Sequence, residues 1–214
     1  AAAAAALSRH LFEQEGFRGN REDYYDPRNS FLNDVLDRRL GIPITLAVLY
    51  VEAAARAGVA ARGIGLPGHF IVEVTRGGER CRVDPFSGGV GLDEAACHAL
   101  VRQVRGPDVP FDAAWLSPVT TRQIVARMLA NLKGVYTRRA EWPRALRVVE
   151  RLVTLLPRSL EEVRDRGTIR ARLGEPRAAI ADWEAYLRGR PDAADAAAVR
   201  DNLRAVRQAL AVLN

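Results

Sequence analysis

The sequence predicts an α+β N-terminal domain over residues 1–116, followed by an all-α helical region over residues 117–214. Two patterns carry this reading. Between residues 43 and 84 the hydrophobic spacing changes from helical to alternating, and from about residue 120 a 34-residue period recurs in helical segments. A chain of 214 residues, 48% hydrophobic and 27% charged, has room for one large domain or two small ones.

Taken in order, Leu7, Leu11 and Phe12 fall at helical spacing within residues 7–20, while Ala1 to Ala6 is low-complexity and adds no signal. Tyr24-Tyr25-Asp26-Pro27-Arg28-Asn29-Ser30 is turn-rich. Asn29 or Ser30 can cap a helix whose apolar face holds Phe31, Leu32, Val35, Leu36 and Leu40, and Gly41 stops it. Pro43 suits the first turn of the next helix, and Ile44 to Ala57 is apolar nearly all round, so this helix is expected to be buried. After Gly58 the period becomes two. Val59 to Gly65 is a short glycine-bounded run. His69 to Val74 and Arg80 to Asp84 alternate about the Gly77-Gly78 turn, which describes an antiparallel hairpin. His69 opens one arm and Asp84 closes the other, so the two are expected to meet at one edge of the sheet.

In the C-terminal region Pro157 and Pro191 are 34 residues apart, as are Ala145 and Ala179, and Leu146 and Ile180. This is the tetratricopeptide repeat length. Each repeat is a pair of antiparallel helices whose close crossing needs a small residue, and the proline ends the second helix because its ring cannot continue the hydrogen-bond ladder. Helices are expected at about 122–139, 143–156, 159–173, 176–188 and 194–212. The pattern is imperfect: Gly134 and Gly167 are 33 apart, and Val149 stands in the first unit where Trp183 stands in the second. The last helix, with Val199, Leu203, Val206 and Leu210, reads as a cap.

Charge is unevenly placed. Residues 1–116 carry a net −2 and residues 117–214 a net +8, with Lys133 the only lysine. An acidic protein or peptide partner at the repeats fits this asymmetry, and solvated arginines spread over a helical surface fit it too. No basic cluster with interleaved aromatics or helix-turn-helix pattern supports nucleic acid as a partner. The longest apolar run, Ile42 to Val51, is interrupted by Pro43 and Thr45 and is too short for a membrane span. No signal peptide is visible, and the chain opens at Ala1 with no Met, which leaves an upstream segment open. Only Cys81 and Cys97 are present, so a disulfide framework is not indicated and a cytoplasmic location is expected. His10, His69 and His98 are scattered without ligand spacing, so no metal or organic cofactor is implied.

The buried helix followed by a sheet resembles the transglutaminase-like domain, a relative of the papain-type cysteine hydrolases. More closely, the chain resembles the SirB-type family of bacterial proteins, described as regulators of SirC expression. The segments that carry the likeness are Tyr24 to Ser30, Arg39-Leu40-Gly41-Ile42-Pro43-Ile44, Leu66-Pro67-Gly68-His69-Phe70 and Asp84-Pro85-Phe86. The resemblance implies His69 as a general base and Asp84 as the group that orients it, by the logic of a nucleophile–base–orienter triad. It also implies a cysteine at the start of the buried helix, and here the sequence departs: that helix opens with Pro43, Ile44 and Thr45. Thr45 carries the only hydroxyl there, far less acidic than a thiol. Cys81 lies three residues before Asp84 on the same strand, and Cys97 lies after the sheet; both read as free core cysteines.

The expectation is therefore a non-catalytic transglutaminase-like protein acting as an interaction or regulatory module. The alternative is an acyl-transfer enzyme, a hydrolase or transamidase, in which His69 and Asp84 assist Thr45 or another nucleophile. Asn29, Asn33, Arg38 and Arg39, on the turn and helix before Gly41, form a candidate pocket beside this site; capping and surface ion pairs are the commoner roles for such residues.

Overall fold

The computed structural model describes residues 2–212. The chain divides into two compact units, Ala1–Ile124 and Val125–Asn214. The division falls downstream of the expected 116/117 break. Among the described residues, no helix is long and apolar enough to cross a membrane.

The first unit opens with helix α1 (Ala2–Ser8), which runs into a wide turn over Arg9–Gln14. The alanine run is part of the fold, contrary to the sequence reading: Ala4 is buried and its carbonyl accepts a 2.9 Å hydrogen bond from the Tyr50 hydroxyl. Ala1 lies outside the described residues. Strand β1 (Arg18–Gly19) pairs in parallel with β2 (Leu40–Gly41), a small sheet with no sequence signal. Between them lie the 3-10 turn Pro27–Ser30 and α2 (Leu32–Arg38), which ends at Arg39 in the left-handed conformation (φ 58°). Helix α3 (Pro43–Arg56) is the expected buried helix; Ile44, Leu46, Ala47 and Tyr50 are inaccessible to solvent or nearly so.

Four antiparallel strands follow in sequence order: β3 (Ala60–Ile64), β4 (Ile71–Arg76), β5 (Glu79–Asp84) and β6 (Val90–Leu92). Gly77 and Gly78 both have positive φ, the backbone that a two-residue hairpin loop requires. Side chains alternate across the sheet. One face meets α3, and the other meets α4 (Glu94–Arg105) through Ile64, Leu66, Ile71, Cys97 and Val101. Both faces of β4 are therefore covered, which explains why Ile71 to Val74 are all buried.

The second unit is helical, as the 34-residue period predicts. Helix α5 (Thr121–Arg138) leads into it, followed by α6 (Trp142–Leu155), α7 (Leu160–Arg172), α8 (Pro176–Gly189) and α9 (Ala196–Val212). Pro143 and Pro176 stand in first turns. Ala145 and Ala179 are fully buried and mark equivalent crossings. Ala145 joins Leu132, Tyr136, Val148, Val149, Leu152 and Ile169 in one core; Ala179 joins Trp183, Tyr186, Val199 and Leu203 in the next. Gly167 lets Trp183 approach: a Cβ there would lie 2.9 Å from the indole.

Candidate functional site

The site is set by two turns at one end of the sheet. Leu66-Pro67-Gly68-His69 closes through a 3.1 Å bond from the His69 N–H to the Leu66 carbonyl, with Gly68 at φ +71°. This is the proline-then-glycine chemistry of a type II turn. It delivers His69 two residues ahead of β4. At the end of β5, Asp84 caps the 3-10 turn Pro85–Ser87, accepting from the Phe86 N–H at 3.0 Å. Gly88 and Gly89, both at positive φ, then return the chain so that the Gly89 N–H reaches the Asp84 carbonyl at 2.8 Å.

These turns bring His69 Nε2 to 3.0 Å from Asp84 Oδ1. The approach is oblique, close enough for strong attraction although the ring N–H does not point straight at the oxygen. Asp84 is 2% exposed. Its burial works to raise the carboxyl, but the hydrogen bond and charge of His69, helped by the Ser87 hydroxyl and the Phe86 N–H, outweigh that and hold it below its ordinary value of 3.8. The Phe86 ring stands edge-on to His69 with centroids 6.1 Å apart. Above Phe86 lie the Arg21 guanidinium, 4.8 Å from the ring centre, and the edge of Tyr24 at 6.0 Å. Gly19 permits this packing, since a Cβ there would sit 2.6 Å from the Phe86 ring. Phe86 and Tyr24 fall within the segments that carry the family likeness, whereas Arg21 lies outside them and has no sequence signal.

Thr45 occupies the first turn of α3, fully buried. Its oxygen accepts from the Ile42 N–H at 3.0 Å, and its single proton is directed to the carbonyls of Asn29 (2.9 Å) and Ile42 (3.1 Å). The hydroxyl thus satisfies an orphan donor at the start of α3 and ties the helix to the 3-10 turn. Asn29 is the hub of that turn. Its amide nitrogen donates to the carbonyls of Asp23 and Tyr24, and its amide oxygen accepts from Asn20 at 3.0 Å and Arg38 at 3.4 Å. Arg38 also pairs with the buried Asp26 at 3.1 Å. Burial works to raise the Asp26 carboxyl, but bonds from Arg28 and the charges of Arg28 and Arg38 hold it below its ordinary value. Asn33 is exposed and bonds to Asp34, while Arg39 turns to the Glu15 carbonyl and carboxylate. Of the four candidate pocket residues, Asn29 and Arg38 are thus bonded to each other, while Asn33 and Arg39 turn to other partners.

The two thiols are held elsewhere. Cys97 is fully buried in the α4 core, and burial pushes its thiol up. Cys81 is half-buried on β5, opposite Val74, with its sulfur 3.9 Å from the Val74 carbonyl. Among the described residues, no group of three or more His, Cys, Asp or Glu side chains is arranged to hold a metal ion.

Residues 1–130 match the model of the transglutaminase-like superfamily. The chain belongs to that superfamily. Residues 132–204 match a tetratricopeptide repeat model. Among relatives, a UPF0162 protein of Xylella fastidiosa (strain 9a5c) is 41% identical over 202 residues, covering 93% of this chain and 72% of that protein. A UPF0162 protein of Vibrio cholerae is 32% identical over 188 residues, covering 87% and 69%. The mouse F-box only protein 21 is 32% identical over 135 residues, which is 59% of this chain and 21% of that protein. No solved structure matches.

Proposed function

We propose that this transglutaminase-like protein is non-catalytic and works as an interaction or regulatory module, in keeping with its resemblance to the SirB-type family. The observation that carries the reading is Thr45. In the place where a papain-type domain presents its thiol, the only hydroxyl spends its proton on two carbonyls and its oxygen on a backbone N–H. A nucleophile needs a free lone pair aimed at substrate and a base to take its proton. Cys97 is fully buried in the apolar α4 core, out of reach of solvent.

The repeats are the part that grips a partner, a protein or peptide rather than nucleic acid. Their positive surplus favours an acidic one. Lys133 is held between Glu162 and Asp165 at 2.6 Å each, and Arg166 and Arg170 converge on Asp182. The charge left for a partner lies on exposed arginines such as Arg147 and Arg151 of α6. Capture of a partner from lysate with the full chain tests this. His69→Ala is expected to leave capture intact and Arg147→Glu with Arg151→Glu to abolish it; the reverse pattern refutes the reading.

The alternative, acyl transfer, draws on the 3.0 Å His69–Asp84 approach. It requires covalent labelling by an electrophilic probe that is lost in His69→Ala. Absence of any adduct by mass spectrometry removes it.

A further inference from the structure

On the α4 face of the sheet, away from the His69 turn, strand register assembles a group of arginines. Arg62 on β3 and Arg82 on β5 both stand directly opposite Glu73 on β4, and Arg80 stands opposite Thr75 one row further on. Arg62 and Arg82 thus flank Glu73 from the two neighbouring strands, about 10 Å apart at their Cβ atoms, within reach of one ligand for side chains as long as arginine. With Thr75 and Ser117 they line an open cleft of about 430 Å³. Its far wall, residues 113–118, is pinned to the sheet. Pro118 bridges to Ile64, and the Val119 N–H bonds to the Gly63 carbonyl at 2.9 Å.

The charges in this cleft do not balance. Glu73 is its one carboxylate and is 7% exposed. The Arg82 Nε lies 3.5 Å from Glu73, while Arg62 and Arg80 make no ion pair or hydrogen bond among the described residues. Asp112, beside the wall, gives an oxygen to the Ala114 N–H. Two guanidinium groups therefore face solvent from a rigid sheet, with hydroxyls of Thr75 and Ser117 nearby. This surplus of positive charge is balanced by an anion with oxygen atoms that match the guanidinium fork. We propose that this cleft binds a ligand bearing a dianionic oxyanion, the phosphate group of a small phosphorylated molecule being the best match in charge. A volume of this size falls within the range of small-molecule pockets.

Isothermal titration of the full chain with inorganic pyrophosphate at low ionic strength tests the assignment, with citrate in parallel to separate phosphate from carboxylate. Saturable one-to-one binding is expected, weakened about tenfold or more in Arg62→Ala/Arg80→Ala, since each guanidinium supplies a charge-assisted bond that water only partly replaces. Both arginines are exposed, so the variant should fold; an unchanged circular dichroism spectrum checks this. Binding of either probe that is lost in the variant supports the site, and the tighter probe names the oxyanion. No saturable binding of either up to millimolar concentration, or equal affinity in the variant, overturns the proposal.

Discussion

Replacing Thr45 by Val removes one oxygen and keeps the branched shape. The structure sets the cost. The Ile42 N–H loses its acceptor at 3.0 Å and the Asn29 carbonyl loses its donor at 2.9 Å, while the Ile42 carbonyl keeps the Leu46 N–H at 3.1 Å. Two backbone groups are left unsatisfied in a fully buried position. Each such group costs about 1–3 kcal/mol, so Thr45→Val should destabilise the first unit by roughly 2–6 kcal/mol. This is a large part of the 5–15 kcal/mol that holds a typical domain together. Native-state hydrogen exchange reads the effect locally: the Ile42 amide should exchange much faster than in the parent chain. Urea unfolding should show a matching loss. Thr45→Ser, which keeps the oxygen, should protect the Ile42 amide nearly as well as Thr. If Thr45→Val leaves the Ile42 amide protected and shifts stability by less than about 0.5 kcal/mol, the hydroxyl is not the cap described here and the case against its acting as a nucleophile fails.

Acid should weaken the first unit through Asp84. Its folded carboxyl lies below the ordinary 3.8, so its stabilising contribution is complete above that pH and is lost as pH falls through the folded value. Asp84→Asn should therefore flatten the part of the stability profile below about pH 4, and an unchanged acid limb in urea titrations would contradict the His69–Asp84 account. In the repeats, Asp182 accepts from Arg166 at 3.0 and 2.6 Å and from Arg170 at 2.9 Å. Asp182→Ala strands both guanidinium groups. Removing one partner of a fully buried pair costs about 3–5 kcal/mol, but both arginines are about one-fifth exposed, so roughly 2–3 kcal/mol is expected. A loss below about 1 kcal/mol in chemical denaturation would show that water replaces the carboxylate.

The elements legible in the sequence were those written in strong local signals. The 34-residue spacing of Ala145 and Ala179 located the helix pairs, because a close crossing tolerates only a small side chain. Pro43 and Gly58 bounded α3, and Gly77-Gly78 fixed the hairpin. Elements held by long-range contact were not legible. The two-residue strands β1 and β2 exist only because segments some twenty residues apart come together, as in the 2.9 Å bond from the Asn20 N–H to the Gly41 carbonyl. The alanine run carries no polar pattern, yet Tyr50 gives it a fixed place. At the site, sequence order located His69 and Asp84, but the neighbours of His69 depend on how the Asp84–Gly89 turn folds back over Gly19. For Asn29, Arg38 and Arg39, their lying together in sequence could not say that Asn29 and Arg38 meet while Arg39 turns to Glu15.

The His69–Asp84 pair looks catalytic by type and spacing, yet its surroundings supply a sufficient structural reason for both residues. Asp84 accepts from the Phe86 N–H, starts the turn that packs Phe86 against Gly19, and lies almost fully out of water. A carboxylate so placed needs a second strong donor, because burying an unpaired charge is expensive. The Ser87 hydroxyl and, obliquely, His69 Nε2 at 3.0 Å, placed there by a proline–glycine turn, meet that need. Thr45 follows the same logic, since the buried start of α3 needs an acceptor for the Ile42 N–H. Each group that resembles a member of a triad thus answers a local demand for hydrogen bonds that the backbone itself creates. The pair by itself is therefore weak evidence for chemistry, and a reactive nucleophile within reach of His69 is the observation that decides the reading.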